Sequence, residues 1–353
     1  MKAWVLHSVG EIRLEEKEKP EPNSGEVRVK VKAAGICGSD VPRIYETGAH
    51  RMPIVPGHEF SGLVDKVGDG VSLRWLGECV SVFPMIPCRK CALCREKRYE
   101  LCRNYDYLGS RCDGAFAEYV VVPAENLIAL PTEVTYAEAA MLEPMAVAVH
   151  AMRRGTDNFS LAPENASVAV CGLGAIGLLM VMFLLEAGYK NLYLIGKHDF
   201  QREKALELGV ENWRYHTVRN AAEWLQKQTG GVDLFFECAG QNNSAALGVE
   251  STGAGGRIVL VGNPHTDMTL SQDVYWNLLR NQITVTGTWN SSFYEDAEND
   301  WKYALNRLSS KRVTPEKLIS HRLPMRNLEY GLAIIRGKRE AFCKALVLPE
   351  DGT

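Results

Sequence analysis

The chain has 353 residues, 46% of them hydrophobic and 24% charged, and 40 basic against 43 acidic side chains give a net charge of −3. That length predicts two domains, each large enough to bury its own core. The even balance of charge excludes a polybasic surface for nucleic acid or an anionic membrane as the main partner.

Met1-Lys2-Ala3-Trp4-Val5-Leu6 has no long apolar core and no small-residue cleavage site, so it reads as a first β-strand rather than a signal peptide. No stretch reaches about 18 apolar residues without a charge, so no membrane span is expected, and a cytoplasmic location is. Val27-Arg28-Val29-Lys30-Val31 alternates with period two, and residues 63–67 and 79–82 form further short runs punctuated by Gly57, Gly62, Gly68, Gly70 and Gly77. This texture predicts a compact β-rich domain. Between residues 136 and 153 the spacing of Ala140, Met141, Met145, Val147 and Val149 predicts one helix.

Ten cysteines are present, and Cys88, Cys91, Cys94 and Cys102 crowd into a C-x2-C-x2-C-x7-C spacing. In a reduced compartment such a cluster points to metal rather than disulfides. Four thiolates with no open position suit a structural zinc that shapes a loop, and Arg89, Lys90, Arg95, Lys97 and Arg98 would offset their charge. The alternative is four free thiols on a surface lobe.

From Ser167 the texture changes. Val168-Ala169-Val170-Cys171 is a buried strand that runs into Gly172-Leu173-Gly174-Ala175-Ile176-Gly177, and an apolar helix follows to Ala187. A strand, GxGxxG and a helix in that order form a dinucleotide site. Gly172 makes the tight turn, Gly174 admits a pyrophosphate and Gly177 lets helix and strand pack closely. The free N–H groups of the helix start, at Ala175 and Ile176, face the phosphates. Further strands at residues 192–195, 232–236, 257–261 and 283–285, separated by helices, predict a doubly wound parallel sheet. The second strand of this domain leads into Gly196-Lys197-His198 with no carboxylate for a ribose 2′-hydroxyl. Glycine leaves room there, while Lys197 and Arg202 supply charge, so NADP(H) is expected alongside NAD(H), with a slight preference. Asp199 reads as the cap of the next helix.

Two more constellations carry metal-ligand types, Gly35-Ile36-Cys37-Gly38-Ser39-Asp40 and Pro56-Gly57-His58-Glu59-Phe60-Ser61-Gly62. With the four-cysteine lobe and the dinucleotide fingerprint, in this order, the chain resembles the zinc-dependent medium-chain alcohol and polyol dehydrogenases over essentially its whole length. Leu142-Glu143-Pro144 carries glutamate where the alcohol dehydrogenases usually have cysteine, which resembles the polyol branch. Gly48-Ala49-His50, Gly109-Ser110-Arg111 and Gly287-Thr288-Trp289-Asn290 resemble members that act on a phosphorylated polyol.

The resemblance implies an α/β protein with a GroES-like β-rich catalytic domain at 1–150, including the zinc lobe at 85–105. A Rossmann doubly wound dinucleotide-binding domain follows at 151–288, and residues 289–353 return to the catalytic domain. It implies two zinc ions per chain. Cys37, His58 and Glu143 are the implied ligands of the catalytic one, and Glu59 is either a fourth, exchangeable ligand or a carboxylate behind the ligands. The metal would act as a Lewis acid on a substrate hydroxyl, with hydride passing to the nicotinamide. Ser39 matches the family's proton-relay hydroxyl, although it equally suits a structural role in its turn. Pro42 replaces the family's usual outer histidine.

Arg43, His50, Arg111 and Asn290 are the candidates for a substrate phosphate, and Trp289 either packs on the sugar chain or fills the cleft between the domains. The strand at 283–286 matches one at the family's subunit interface, which implies a homodimer or homotetramer. Two rival readings remain: an unphosphorylated sorbitol- or xylitol-type substrate, and a non-catalytic zinc and dinucleotide sensor. A sensor would be free to lose Cys37, His58 or Glu143, and all three are present.

Overall fold

The computed structural model describes residues 1–264, 266–294, 298–337 and 340–349. Two units divide the chain, one of Met1–Glu143 with Ser292–Thr353 and the other Pro144–Ser291.

In the first unit, alternating apolar residues build β1 (Lys2–Ser8), paired antiparallel with β2 (Glu11–Glu16). The central strand is β3 (Glu26–Ile36), with Val27, Val29 and Val31 fully buried. There follow β4 (Glu59–Val67), β5 (Cys79–Val82), the short pair β6 (Met85–Ile86) and β7 (Asp106–Tyr107), then β8 (Tyr119–Pro123) and β9 (Leu127–Ala129).

The single helix expected between residues 136 and 153 is two, Tyr136–Ala139 and Leu142–Thr156. Thr135 starts the first through a capping box with Glu138. Pro144 has no N–H to return to the carbonyl four residues back, so the helix stops and restarts with proline in its new first turn. The restart leaves Glu143 in the first turn of the second helix.

The second unit is one parallel sheet of β10 (Ser167–Cys171), β11 (Asn191–Gly196), β12 (Tyr215–Thr217), β13 (Val232–Glu237), β14 (Thr252–Leu260) and β15 (Thr284–Gly287). Its order, β12-β11-β10-β13-β14-β15, is the doubly wound Rossmann order. β12 has no counterpart in the sequence reading, because three residues that include His216 and Thr217 give no apolar period. β14 begins at Thr252, five residues earlier than its apolar run.

The chain then returns to the first unit with β16 (Ile319–Pro324) and β17 (Lys344–Leu348). The seven-stranded sheet runs β16-β17-β3-β4-β5-β9, with β8 also on β3. Leu328, Leu332, Ala345 and Val347 of the returning segment are buried in the same core as Val29, Phe60 and Phe116. No helix among the described residues is long and apolar enough to cross a membrane.

Candidate active site

Where β3 ends, Cys37 enters a turn and Asp40 opens a short helix, Asp40–Pro42. Asp40 is fully buried. One of its oxygens accepts from the Cys37 N–H at 3.0 Å, while the other accepts from Arg43 Nη1 at 2.7 Å and lies 3.4 Å from His58 Nδ1. His58 and Glu59 stand at the start of β4, the strand beside β3. Gly57 precedes them at φ 98°, and a Cβ there would come within 2.8 Å of the Phe116 ring, so the turn that aims His58 requires glycine.

The ligating atoms of Cys37, His58 and Glu59 lie within 4.8 Å of one another. Glu143, the third ligand expected from the sequence, is not in that triplet. Its carboxylate accepts from the Tyr107 hydroxyl at 3.4 Å, and the charges of His58 and Glu59 both act on it. Burial pushes the Glu143 carboxyl up to about 7, and Glu59 adds to the rise while His58 opposes it. Burial lowers the His58 pKa, but Asp40 and Cys37 outweigh it and hold the ring well above its ordinary value. Asp40 is raised by burial and lowered by His58 and Arg43, with a net fall. Glu59 is ion-paired with Lys344 of β17, and both side chains are buried. Ser39 Oγ donates to Cys37 Sγ at 3.3 Å.

A thiol, an imidazole and a buried carboxylate converging on one point form a donor set suited to zinc. Asp40 orients the imidazole in the manner of a carboxylate behind a metal-bound histidine. Asp40, Tyr107 and Lys344 are the residues that the sequence reading left without a role. Asp40 stood in the Cys-Gly-Ser-Asp run, Lys344 lay in the returning segment 289–353, and no local signal singled out Tyr107.

The Sγ atoms of Cys88, Cys91, Cys94 and Cys102 likewise lie within 4.8 Å of one another, and no cysteine is in a disulfide. Backbone N–H groups of Lys90 and Cys91 draw Cys88 down to about 6, while burial pushes Cys94 up to about 12. Of the nearby cations, Arg89 is engaged by Glu125 at 2.6 Å and Arg95 by the Lys90 carbonyl at 2.7 Å.

In the second unit the turn after β10 has Gly172 at φ 95°, and a Cβ there would come within 2.6 Å of the Ala239 backbone nitrogen. A Cβ on Gly174 would stand in open space, and one on Gly177 would strike the Gly172 carbonyl. The helix Ala175–Glu186 follows, so its first N–H groups, including those of Ala175 and Ile176, have no partner within the helix. At the end of β11 the room expected over Gly196 is filled: a Cβ there would meet the Tyr215 hydroxyl at 2.6 Å and Gln201 Oε1 at 3.0 Å. Gln201 accepts from the N–H groups of Lys197 and His198. His198 therefore precedes the helix Asp199–Glu207, and Asp199 is its first residue rather than its cap. Arg202 donates to Asn212 at 2.6 Å.

Of the substrate candidates, Arg43 is held by Asp40. His50 is exposed, and its backbone N–H donates to the Ser110 carbonyl at 3.0 Å. Partial burial and the charges of Arg111 and Arg43 all lower its pKa. Arg111 lies 4.7 Å over the Tyr105 ring, and its Nε is buried with no partner among the described residues. Trp289 and Asn290 belong to the other unit. Trp289 is exposed, and Asn290 turns at φ 57° and accepts from the Ser291 N–H at 2.9 Å.

Residues 23–132 match the alcohol dehydrogenase GroES-like domain and residues 175–310 the zinc-binding dehydrogenase domain. The chain belongs to the zinc-binding alcohol dehydrogenase family. This dehydrogenase is 37% identical over 332 residues to galactitol 1-phosphate 5-dehydrogenase of Escherichia coli (strain K12), an alignment that covers 91% of this chain and 92% of that one. It is 31% identical to sorbitol dehydrogenase of Arabidopsis thaliana, over 91% and 87% of the two chains. The crystal structure of galactitol-1-phosphate dehydrogenase from Escherichia coli superposes with a TM-score of 0.89 at 33% identity, over 99% and 100% of the chains. That of a zinc-binding dehydrogenase from Sinorhizobium meliloti 1021 bound to NADP superposes with a TM-score of 0.87 at 28% identity, over 99% of each. The protein is thus a dehydrogenase of the alcohol and polyol type whose cofactors are zinc and a nicotinamide dinucleotide. The sensor reading falls with that membership.

Proposed function

We propose that the enzyme oxidises a secondary hydroxyl of a polyol phosphate, of the galactitol 1-phosphate type, to the ketose phosphate with hydride transfer to NAD(P)+. Arg111 carries this reading: a buried guanidinium nitrogen without an acceptor among the described residues, whose charge, like that of Arg43, opposes protonation of His50. Three such groups favour an anion, and a phosphate dianion supplies the missing acceptor. The resemblance to galactitol 1-phosphate 5-dehydrogenase agrees.

Cys37 and His58, with Glu59 and Glu143 as the carboxylates, would hold the catalytic zinc, and Cys88, Cys91, Cys94 and Cys102 the structural one. When bound, the catalytic zinc supplies a Lewis acid that eases loss of the hydroxyl proton, and NAD(P)+ accepts the hydride. The remaining work falls to the chain. Asp40 fixes the ring of His58 and the backbone of Cys37, so two donors move together. Ser39 Oγ, on the sulfur of Cys37 and only partly buried, would take the departing proton as it releases its own to solvent. Arg111 grips the phosphate and sets which carbon faces the site. Gly172, Gly174 and Gly177 give the pyrophosphate its seat. At the ribose, Lys197 offers a cation where no carboxylate stands, which supports acceptance of NADP(H), and a tenfold kcat/KM preference for NAD(H) would refute it.

The deciding experiment compares initial rates of NAD(P)+ reduction with galactitol 1-phosphate and with galactitol. A large preference for the ester is expected, and equal rates or activity on the free polyol alone would overturn the phosphate pocket. The sorbitol-type reading is the second, favoured by Arg43 being held by Asp40 and by the sorbitol dehydrogenase relative.

We also propose a homodimer through β15, the last strand of its sheet, where Val285 is exposed along with Tyr275, Trp276 and Leu279 of the helix Gln272–Arg280. Light scattering tests it. Ten cysteines, none of them in a disulfide, support a reducing, cytoplasmic setting.

A further inference from the structure

The turn that carries Arg111 has a tightly bonded backbone. It follows β7, and the Tyr107 carbonyl at the end of that strand accepts from three N–H groups: Ser110 at 3.2 Å, Arg111 at 2.9 Å and Cys112 at 3.2 Å. Gly109 turns at φ 76°, and its N–H donates to the Cys112 carbonyl at 2.8 Å. A Cβ on Gly109 would come within 2.7 Å of the Gly57 nitrogen, so the turn lies directly on the backbone that precedes His58. The base of Arg111 is thereby fixed.

None of those bonds holds its side chain, and a long side chain gives up much rotamer freedom when it grips a ligand. Among the described residues no carboxylate pairs with Arg111, and its buried Nε has no acceptor. What the guanidinium does meet is the ring of Tyr105, whose centroid lies 4.7 Å away. Tyr105 in turn meets the Tyr107 ring edge-on, at 6.4 Å and 79°, and Tyr107 lies 5.7 Å from the His58 ring at 59°. Guanidinium, two phenol rings and imidazole thus form one row. Tyr105 is half-buried, and its hydroxyl bonds to no other described residue, so what it offers Arg111 is its ring.

A ring face attracts a guanidinium through its quadrupole and occupies only the flat side of the group. The edge, with the N–H groups that take two phosphate oxygens at once, stays free. A cation placed ahead of binding loses less on binding, and that difference is affinity.

We propose that Tyr105 is a positioning residue for the phosphate end of the substrate, one that holds the Arg111 guanidinium on its ring face in the orientation that grips the ester. The proposal rests on the polyol-phosphate reading. Tyr105 acts through Arg111 alone: it sets KM for the phosphorylated substrate and has no part in the hydride step.

The test is steady-state kinetics of the full-length zinc enzyme on galactitol 1-phosphate with saturating NAD(P)+. Tyr105→Leu should raise KM for the ester about fivefold and leave kcat, KM for NAD(P)+ and zinc content near parental values. Tyr105→Phe keeps the ring face and should keep the parental KM. The double variant Tyr105→Leu/Arg111→Ala should show the KM of Arg111→Ala alone, because a ring with no guanidinium to hold has nothing left to lose. If the two losses multiply instead, Tyr105 acts independently of Arg111 and the proposal is overturned. It is also overturned if Tyr105→Phe behaves like Tyr105→Leu, or if kcat and zinc content fall with KM, the mark of a ring that merely supports the fold. Should Tyr105→Leu not fold, Tyr105→Met takes its place in the cycle, since its flexible chain fills irregular space. A parent that does not turn over the ester, or an Arg111→Ala variant with unchanged KM for it, would remove the phosphate reading and this proposal together. A raised KM in Arg111→Ala beside an unchanged one in Tyr105→Leu would remove this proposal alone.

Discussion

The two donor clusters of this protein are built in opposite ways. The four-cysteine cluster takes its donors from one stretch of fifteen residues, 88–102, and shapes only a local loop. The other draws Cys37 from the end of β3 and His58 and Glu59 from the start of β4, touched by Asp40, Tyr107 and Lys344, while the buried Glu143 from a helix start feels the charges of His58 and Glu59. The first set of donors is all of one kind, suited to closing around an ion. In the second, every surplus charge is separately compensated. A site that only holds shape can be written in a short segment, whereas one that must leave a position open needs partners from across the fold.

The comparison can be broken most forcefully at Glu143. Glu143→Ala should cost several kcal/mol of transition-state stabilisation, roughly a thousandfold in kcat/KM, while zinc falls from about two ions per chain to about one and the fold persists. Elemental analysis beside steady-state kinetics checks it, and near-parental turnover would remove Glu143 from the ligand set. Next comes Asp40→Asn, which loosens His58 and frees Arg43 and is expected to cost about 10- to 100-fold in metal affinity or activity. Competition with a chelator reads that effect.

Arg111→Ala should raise KM for the phosphorylated substrate about tenfold and leave KM for the free polyol in place, since it removes one charge-assisted contact. His50 gives a smaller, pH-dependent effect. Its pKa is depressed in the free enzyme by partial burial, Arg111 and Arg43, and a bound phosphate would raise it. Binding then takes up a proton at pH values between the two, so KM for the ester should fall as pH falls, by less than about tenfold per unit. His50→Ala should flatten that slope, and a slope surviving in the variant would exclude His50. Smallest in activity is Cys94→Ser in the lobe. Its expected cost is about 1–3 kcal/mol of stability, a drop of a few degrees in Tm, with kcat near the parental value. A large loss of kcat there would mean that the two clusters are less separate than their construction implies.

What was legible in the sequence follows the same division. The cysteine lobe and the Gly172-Gly174-Gly177 turn could be read because their chemistry depends on short spacings. The parallel strands could be read because Val168, Leu194, Phe235 and Val259 lie in continuous apolar runs. The helix break before Glu143 was missed because apolar periodicity does not register a missing N–H, although Pro144 stood in plain view. The filling of the space over Gly196 by Tyr215 was invisible because it depends on the pairing of β11 with β12, a strand of only three residues. Lys344 was out of reach for the same reason, since only the register of β17 on β3 brings it to Glu59.

The position of β17 bears on how the protein is made. The four cysteines can gather an ion while a ribosome is still copying the middle of the message. The floor beneath Cys37 has to wait for residues 344–348 to be translated and to dock on β3. During synthesis the donors of the lobe are therefore complete before the floor of the reacting centre, so the lobe is able to take an ion before the chain has any capacity to turn over substrate.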